Sequence, residues 1–241
     1  MSASTHRIRL VPETGSTNAD LRLLAADWPE GQWLRAERQT AGRGRLGRDW
    51  RSPSGNVYAS TLIRLRPGDP PVTGLGLMLG VAVHAALSAL LLQGPILLKW
   101  PNDVMVGPAK LAGMLLEREG DAIVAGIGIN VATAPELPDR PTVALADLPG
   151  GAGIDAAQVL DALVPSFDHW LAEWRQGGTA AIIAAWLPRA HPVGTRLIVS
   201  AGTDRPQQGR FLGLGADGAL ILGLEDGTRH VIHSGDVGVL S

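Results

Sequence analysis

The chain has 241 residues, of which 45% are hydrophobic, 18% are charged and 31 are glycine, and its formal net charge is −2. This length predicts one large domain with room for a small second one, and the composition is typical of a soluble globular protein rather than a disordered, collagen-like or coiled-coil chain. A slightly acidic chain is not expected to coat nucleic acid. Since the chain has no cysteine, it has no disulfide framework, which suits a reducing compartment.

No apolar segment of the sequence suggests a signal peptide or a membrane span. The first ten residues lack the apolar core of a signal peptide. The most apolar stretch, residues 75–92, is interrupted by His84, Ser88 and two glycines, which favours a buried helix over a membrane span. We therefore expect a cytoplasmic protein with no membrane partner.

Strands dominate the predictions for the first 131 residues. They are expected at 6–11, 34–37, 57–65, 96–100, 111–117 and 123–131. A helical pattern follows Ser16, Thr17 and Asn18, each of which suits an N-cap, and a second helix is predicted over 75–92. Because these elements alternate without a regular βαβ repeat, we predict an α+β fold with a mixed or antiparallel sheet.

The last 90 residues change in character. Apolar residues recur at helical spacing between residues 160 and 174, and Pro165 is expected to kink or divide that helix. Short strands separated by Gly and Asp turns are predicted at 197–200, 209–214, 219–224 and 229–232. This pattern predicts a small β-barrel. We therefore expect a catalytic domain over residues 1–188 and a C-terminal domain over 189–241.

Lysine is scarce, because the 21 basic residues comprise 19 arginines and two lysines, Lys99 and Lys110. A general preference for arginine explains the scarcity. An ammonium group is nevertheless a compact point charge whose role a guanidinium fork does not fill. The two lysines, which lie within twelve positions of each other, are therefore candidates for chemistry.

An arginine-rich loop follows the second predicted strand. Residues 35–51 contain six arginines against Glu37 and Asp49, a net charge of +4 on a nearly neutral chain. Guanidinium groups bind phosphate or carboxylate oxygens in pairs, and the glycines of GRGRLGR at 42–48 let the backbone approach a ligand. The motif lacks the order of a P-loop. It predicts an anion site, with a solvated loop that binds RNA phosphates as the alternative.

The second cluster is LKWPND at 98–103, shortly before Lys110. Pro101 ends the strand, and Asn102 and Asp103 supply a turn whose carboxylate suits a magnesium ion or a ribose hydroxyl. A strand, a turn and a strand would bring both lysines to one end of a sheet. In the alternative interpretation, the Asn-Asp pair only turns the chain and the tryptophan belongs to the core.

Five sequence blocks occur together in an order that resembles one family. They are GSTN at 15–18, ERQTAGRGRLGRDWRSPSGN at 37–56, KWPND at 99–103, KLAGML at 110–115 and GIGINV at 126–131. In this combination they resemble the biotin–protein ligases, also called biotin–[acetyl-CoA-carboxylase] ligases, most strongly over residues 8–131. The resemblance implies an α+β catalytic domain of the biotin/lipoate ligase type, followed by a small Src-homology-3-like β-barrel.

The resemblance also implies a two-step reaction that consumes biotin and ATP. Biotin carboxylate attacks the α-phosphate of ATP to give biotinyl-5′-AMP and pyrophosphate, and a lysine of a biotin carboxyl carrier domain then takes the biotinyl group. Two anions meet in the first step, so clustered cations and Mg²⁺ suit it. A glycine-hinged loop folded over the mixed anhydride would protect it from water.

Matched by position to the family, the site residues fall into four groups. The catalytic residues would be Lys110, Arg45 and Arg48. The biotin-binding residues would be Ser16, Thr17, Asn18, Gln39, Arg43, Gly44, Arg45 and Lys110. The ATP-binding residues would be Arg45, Arg48, Trp50, Lys99, Asn102 and Asn130, with Trp50 near the adenine. Asp103 would hold Mg²⁺ together with ATP.

Three competing functions stay open, and the weakest is an RNA-binding module that uses the arginine-rich loop, because the chain is slightly acidic. A lipoate or octanoate ligase or transferase shares the expected architecture, although the pairing of KWPND with GRGRLGR favours biotin. A non-catalytic sensor of biotin or nucleotide would keep the pocket without turnover, although Lys110 and Arg45 argue against an inactive site.

The expected partner is the biotin carboxyl carrier protein or domain of acetyl-CoA carboxylase or a related carboxylase. Bifunctional relatives carry a DNA-binding helix-turn-helix before the GSTN block, whereas 14 residues precede Gly15 here, so no DNA partner is expected. Sheet edges can mediate dimers in this fold, so a homodimer stays open.

Overall fold

A computed structural model describes residues 7–91, 96–138, 140–200 and 206–240. A seven-stranded sheet organises the first half of the chain. Its strands are β1 (Ile8–Thr14), β2 (Trp33–Gln39), β3 (Val57–Arg64), β4 (Ile96–Lys99), β5 (Asp103–Val106), β6 (Ala109–Glu119) and β7 (Ala122–Ile129), in the order β1-β2-β3-β7-β6-β5-β4. Only β1 and β2 pair in parallel, so the predicted mixed sheet of an α+β fold is confirmed.

Three helices pack on the two faces of this sheet: α1 (Thr17–Leu23), α2 (Leu75–Leu90) and α3 (Ala156–Trp186). Helices α2 and α3 pack against each other in the main hydrophobic core, whereas α1 lies on the other face above a smaller core. Side chains alternate between the two faces of a strand. In β7 the residues from Ile123 to Ile129 at every second position therefore enter the main core, while Gly126 and Gly128 face the α1 side.

Helix α2 is a core helix. The stretch Val72–Leu90 is long and apolar enough to cross a membrane by length and composition alone, yet most of it is buried inside the fold. Its predicted burial is confirmed. Leu92, at the end of the predicted helix, and His6, at the start of the first predicted strand, lie outside the described residues.

The break in α3 does not lie where the sequence predicts it. Helical geometry continues through Pro165, which is exposed, so water can reach the carbonyl that the proline leaves without a partner. The chain instead departs from helical geometry at Gly178, with φ of 68° and ψ of −171°. That conformation is accessible essentially to glycine only. The predicted division at Pro165 is therefore wrong.

The C-terminal sheet has five antiparallel strands. They are β8 (Arg196–Ser200), β9 (Gln207–Leu214), β10 (Leu220–Gly223), β11 (Arg229–Ile232) and β12 (Asp236–Val239), in the order β11-β10-β9-β8-β12. The predicted small C-terminal β unit is confirmed, and β12 is an additional strand. The division at residues 188 and 189 falls within a 3-10 turn, Leu187–Arg189, and stays a prediction.

The two sheets share one hydrophobic core. Phe211 belongs to the same buried cluster as the residues under α2 and α3, and its ring meets that of Trp186 edge to face at 6.4 Å. The indole of Trp100 donates a hydrogen bond to the carbonyl of Gly218 at 3.1 Å. The C-terminal sheet is thereby fixed against the KWPND turn.

Candidate active site

A cleft of about 1230 Å³ opens between the α1 face of the large sheet and strands β8 and β12 of the C-terminal sheet. Thirteen of the predicted site residues line it. They are Ser16, Thr17, Asn18, Gln39, Arg43, Gly44, Arg45, Arg48, Trp50, Lys99, Asn102, Asp103 and Lys110. These residues come from separate parts of the chain, so the fold brings the sequence blocks together.

One end of the cleft carries uncharged hydrogen-bonding groups at the start of α1. Ser16 is the N-cap of this helix, and its hydroxyl accepts a hydrogen bond from the Ala19 amide at 3.5 Å. The Thr17 amide and hydroxyl both donate to Oε1 of Gln39, at 2.9 and 3.1 Å. Ser16 therefore caps a helix and also lines the cleft.

The Asn18 side chain is held on both sides. Its Nδ2 donates to Glu117 at 2.8 Å, and its Oδ1 accepts from the Ser60 hydroxyl at 2.6 Å. The sequence alone did not single out Ser60 or Glu117. Since each uses one end of the amide, the two partners fix which end of Asn18 carries the oxygen.

Glycines form the floor of the cleft. A Cβ at Gly126 would lie 2.1 Å from Asn18, and one at Gly128 would lie 2.5 Å from the ring of Trp50. A Cβ at Gly113 would lie 2.8 Å from Lys110. The glycines of GIGIN are thus required by the close approach of site side chains, while the isoleucines between them fill the core.

The glycine-arginine segment, residues 42–50, crosses the cleft and is called here the cover loop. Its ends are joined by backbone hydrogen bonds, from Trp50 to Gly42 at 2.9 Å and from Gly44 to Arg48 at 2.7 Å. Its tip is a 3-10 turn, Arg45–Gly47, in which Leu46 has a positive φ of 58° and a 75% exposed side chain. The tip therefore has little packing of its own.

Two arginines of the cover loop contact the start of β12 in the C-terminal sheet. Nη1 of Arg45 lies 3.3 Å from Oδ1 of Asn102 and 3.3 Å from the carbonyl of Gly235. Arg48 forms an ion pair with Asp236 at the start of β12. Burial lowers the pKa of the Arg45 guanidinium, and the nearby Asp236 and Asp103 carboxylates oppose that effect.

Both lysines meet at one carboxylate. Nζ of Lys110 lies 2.6 Å from Oδ1 of Asp103, and Nζ of Lys99 lies 3.3 Å from Oδ2. Asp103 is buried and the lysine side chains are 18% and 12% exposed, and the three residues come from adjacent strands, β4, β5 and β6. The expectation that the strands bring both lysines to one end of the sheet is confirmed. The segment after Asn102 is a strand, however, where the sequence predicts only a turn.

Burial and neighbouring charges act in opposite directions on the pKa values of this cluster. Burial alone raises the pKa of the Asp103 carboxyl, but the ammonium groups of Lys110 and Lys99 hold it below its ordinary value. Burial lowers the pKa of Lys110, with Asp103 opposing and Lys99 adding to that effect. Two ammonium groups against one carboxylate leave a positive charge in the cleft, which favours an anionic ligand.

Asn130 is the one predicted site residue that does not line the cleft. Its side chain is buried, and Nδ2 donates to the carbonyls of Lys110 and Val143 at 3.4 and 3.2 Å. Its Oδ1 is buried without a hydrogen-bond partner. In this structure Asn130 supports the backbone behind Lys110, and its contact with nucleotide stays a prediction.

A protein-held magnesium ion does not fit this donor set. Among the described residues, no three histidine, aspartate or glutamate side chains converge as a metal site. Asp103 is already engaged by both lysines, and Mg²⁺ prefers an octahedron of oxygen ligands. The expectation that Asp103 holds Mg²⁺ together with ATP stays a prediction.

Comparison with known proteins gives the family. The model described as "Biotin/lipoate A/B protein ligase family" matches residues 8–133, slightly more than half of the chain. The chain belongs to the biotin/lipoate A/B protein ligase family. A second model, "Biotin protein ligase C terminal domain", matches residues 198–239, which hold most of the C-terminal sheet. Within the family, the chain is therefore a ligase of the biotin protein ligase type.

Individual relatives agree with this assignment over nearly the whole chain. The biotin–[acetyl-CoA-carboxylase] ligase of Paracoccus denitrificans is 37% identical over 95% of this chain and 98% of that protein. The ligase of the same name from Mycobacterium tuberculosis is 34% identical over 96% of this chain and 88% of that protein. The structure of biotin protein ligase from Aquifex aeolicus in complex with biotin and ATP has a TM-score of 0.82, with 28% identity over 97% of this chain and 98% of that one.

The family's sequence blocks do not indicate every residue of the cleft. Arg140, His191 and Asp236 also line it, and they come from loops or from the C-terminal sheet. Burial lowers the pKa of His191, and the charge of Lys99 lowers it further, which favours a neutral ring. No short-range signal marks these residues, because their position depends on how the C-terminal sheet packs against the ligase domain.

Proposed function

We propose that this protein activates biotin with ATP and transfers the biotinyl group to a lysine of a biotin carboxyl carrier domain. The observation that carries the proposal is the polarity of the cleft, which has a neutral hydrogen-bonding end and a cationic end. Biotin combines an uncharged ureido ring with a carboxylate, and ATP supplies further negative charge. The polarity of the cleft is complementary to this pair of substrates.

In the first step a carboxylate oxygen of biotin attacks the α-phosphorus of ATP. A phosphorus–oxygen bond forms to the carboxylate, the bond to the β-phosphate breaks, and pyrophosphate leaves with its electron pair. Lys110 belongs to the cationic end and would neutralise the carboxylate and the α-phosphate oxygens. Arg45 and Arg48 would stabilise the charge that develops on the phosphates. Lys99 would bind the phosphates that leave.

The neutral end would hold the ureido ring. Ser16, Thr17, Asn18 and Gln39 offer hydroxyl and amide groups whose orientations are set by neighbouring hydrogen bonds. Groups fixed in this way lose little conformational entropy on binding. Arg43 and Gly44 would line the valeryl chain of biotin between the ring and the phosphate.

The nucleotide would extend towards Trp50 and Asn102. The Trp50 ring lies over Gly128, and Nζ of Lys110 is 5.2 Å from its centroid. We assign this indole to the adenine and Asn102 to the nucleotide beside Arg45. Asn130, with its unpaired Oδ1, is assigned to the same nucleotide. Magnesium would enter with ATP.

In the second step the amine of the acceptor lysine attacks the acyl carbon of biotinyl-5′-AMP. A carbon–nitrogen bond forms, the bond from that carbon to the phosphate oxygen breaks, AMP leaves and the amine loses a proton. The acceptor is the carrier protein or domain of acetyl-CoA carboxylase or a related carboxylase. We assign this activity to the cytoplasm, where ATP and carboxylases occur together.

Exchange of labelled pyrophosphate into ATP tests the first step directly. The purified protein is incubated with ATP, magnesium and labelled pyrophosphate, with biotin, with octanoate or with neither. We expect exchange that depends on biotin. Exchange with octanoate alone would indicate a lipoate or octanoate ligase instead. Biotin binding without any exchange would favour a non-catalytic sensor.

A further inference from the structure

The cover loop is attached to the C-terminal sheet through its arginines. Arg48 pairs with the Asp236 carboxylate, and Arg45 approaches the carbonyl of the preceding residue, Gly235, at 3.3 Å. These contacts join residues about 190 positions apart in sequence. The C-terminal sheet therefore supplies part of what holds the loop across the cleft.

Little else fixes the tip of this loop. Leu46 adopts the left-handed region that non-glycine residues rarely occupy, and three quarters of its side chain is exposed. The loop contributes no residue to the main hydrophobic core. An element with few apolar contacts opens at low cost in free energy. The arginine contacts must therefore account for much of its closed position.

Asp236 is well placed to be the fixed end of this attachment. It begins β12, and that strand pairs with β8 from Asp236 opposite Ser200 to Val239 opposite Leu197. Val237, the next residue, is buried in the shared core. The carboxylate is thus anchored by a strand, whereas Arg48 belongs to a loop whose tip has little other packing.

We propose that Asp236 is a positioning residue that latches the cover loop closed through Arg48 and so retains the acyl-adenylate in the cleft. This inference rests on the proposed function. The carboxylate acts through the arginine rather than on the reacting atoms. With the latch in place, the mixed anhydride is shielded from water and stays bound until a carrier lysine arrives.

The test measures how quickly the full-length protein releases synthetic labelled biotinyl-5′-AMP into an excess of unlabelled ligand. Asp236→Asn keeps the size of the side chain and the backbone pairing of β12 but removes the charge. We expect release about fivefold faster, the size of effect expected for a partly exposed ion pair. Asp236→Glu, which retains a carboxylate, should restore slow release.

Two controls separate a latch from a general effect on folding. Glu225→Gln removes an exposed carboxylate from the turn between β10 and β11, outside the cleft, and its release rate should equal that of the wild type. In an Arg48→Gln background, Asp236→Asn should add nothing, because the partner of the carboxylate is already absent. The unfolding temperature of each variant is measured alongside.

The outcomes are distinguishable. Unchanged release in Asp236→Asn, or an equal acceleration in the Arg48→Gln background, would overturn the latch while leaving the proposed function intact. If the wild-type protein did not bind biotinyl-5′-AMP at all, the proposed function would fail and the latch with it.

Discussion

At the scale of single residues, the Asp103 cluster shows how this fold keeps two cations together in a buried position. The carboxylate bridges Lys99 and Lys110, so neither ammonium is left in the interior without an anionic partner. An unpaired buried charge would be costly, whereas a shared carboxylate still leaves a positive charge for an anionic substrate. The shared carboxylate thus allows two lysines to be largely buried while the cluster keeps a net positive charge that can attract phosphate.

Replacing Lys110 tests its assigned role. Lys110→Ala should lower the rate of adenylate formation by about 100-fold or more, because it removes a cation from the reacting phosphate. Biotin-dependent pyrophosphate exchange provides the measurement. Arg118→Ala is the matched control, since it removes a cation from the exposed end of the same strand. Exchange by Lys110→Ala at close to the wild-type rate would contradict the assignment.

The sequence singles out the two lysines as site residues, but it does not show that Asp103 pairs with both of them. Lys99 and Lys110 stand out because lysine is so scarce, and the surrounding blocks resemble a known family. The sequence suits Asp103 to a magnesium ion held together with ATP or to a ribose hydroxyl, because a carboxylate after Asn in a turn can bind either. Its pairing with both lysines depends on the register of β4, β5 and β6, which short-range patterns do not specify.

At the scale of elements, the two faces of β7 have different roles. Its alternate residues fill the main core, while Gly126 and Gly128 leave room for Asn18 and Trp50. A strand with a period of two can carry both requirements in one short sequence. The GIGIN block therefore reflects packing on one face and ligand space on the other.

Substituting these glycines should affect the two ends of the cleft differently. Gly126→Ala crowds Asn18 and should raise the KM for biotin about tenfold, whereas Gly128→Ala crowds Trp50 and should raise the KM for ATP by a similar factor. Steady-state kinetics for each substrate provide the test. Gly76→Ala, whose Cβ would meet its nearest neighbour at 3.8 Å, should change neither value. Equal effects of both substitutions on both KM values would contradict the assignment of Gly126 to the biotin end of the cleft and of Gly128 to the ATP end.

Strand β3 offers an optical test of the fold, because Tyr58 is the single tyrosine of the chain. Burial raises the pKa of Tyr58 to about 12, and its hydroxyl donates to the carbonyl of Pro53 at 2.7 Å. The neutral form is favoured in the folded protein, so the free energy of unfolding should fall as the pH rises from about 10 towards 12. Absorbance titration of tyrosinate should give a midpoint near 12. A midpoint near 10 in the folded protein would contradict the burial of this ring.

Most elements could be predicted from hydrophobic patterning, and the exceptions have physical reasons. The central strands and α2 are long and apolar, so their positions agree with the predictions to within a few residues. β5 and β12 have four residues each and begin with aspartate, which is typical of turns. β5 forms a strand because it pairs with the neighbouring strands β4 and β6, and β12 forms one because it pairs with the distant strand β8. Likewise, Gly178 rather than Pro165 breaks α3, because the exposed side of a helix tolerates the proline.

At the scale of the whole molecule, the C-terminal sheet is part of the structure that forms the candidate site. It shares the main core, closes one wall of the cleft and pairs with the cover loop. The sequence indicates a separate β unit but not these contacts, because they join residues far apart in the chain. We therefore expect the two sheets to unfold together.

Phe211 tests this shared core. Phe211→Ala should lower the free energy of unfolding by about 3–5 kcal/mol, the range typical of a buried phenylalanine. Thermal unfolding followed by tryptophan fluorescence and by far-ultraviolet circular dichroism should show one transition in the wild type and in the variant. Two separated transitions in the wild type would contradict a single cooperative core.

The most direct test of the central claim is the intact mass of a purified biotin carboxyl carrier domain after incubation with this protein, ATP, magnesium and biotin. We predict a gain equal to one biotinyl group that requires ATP and is lost in Lys110→Ala. A parallel reaction with octanoate should leave the carrier unchanged. No gain with biotin, or a gain with octanoate alone, would contradict the proposal that this protein is a biotin ligase.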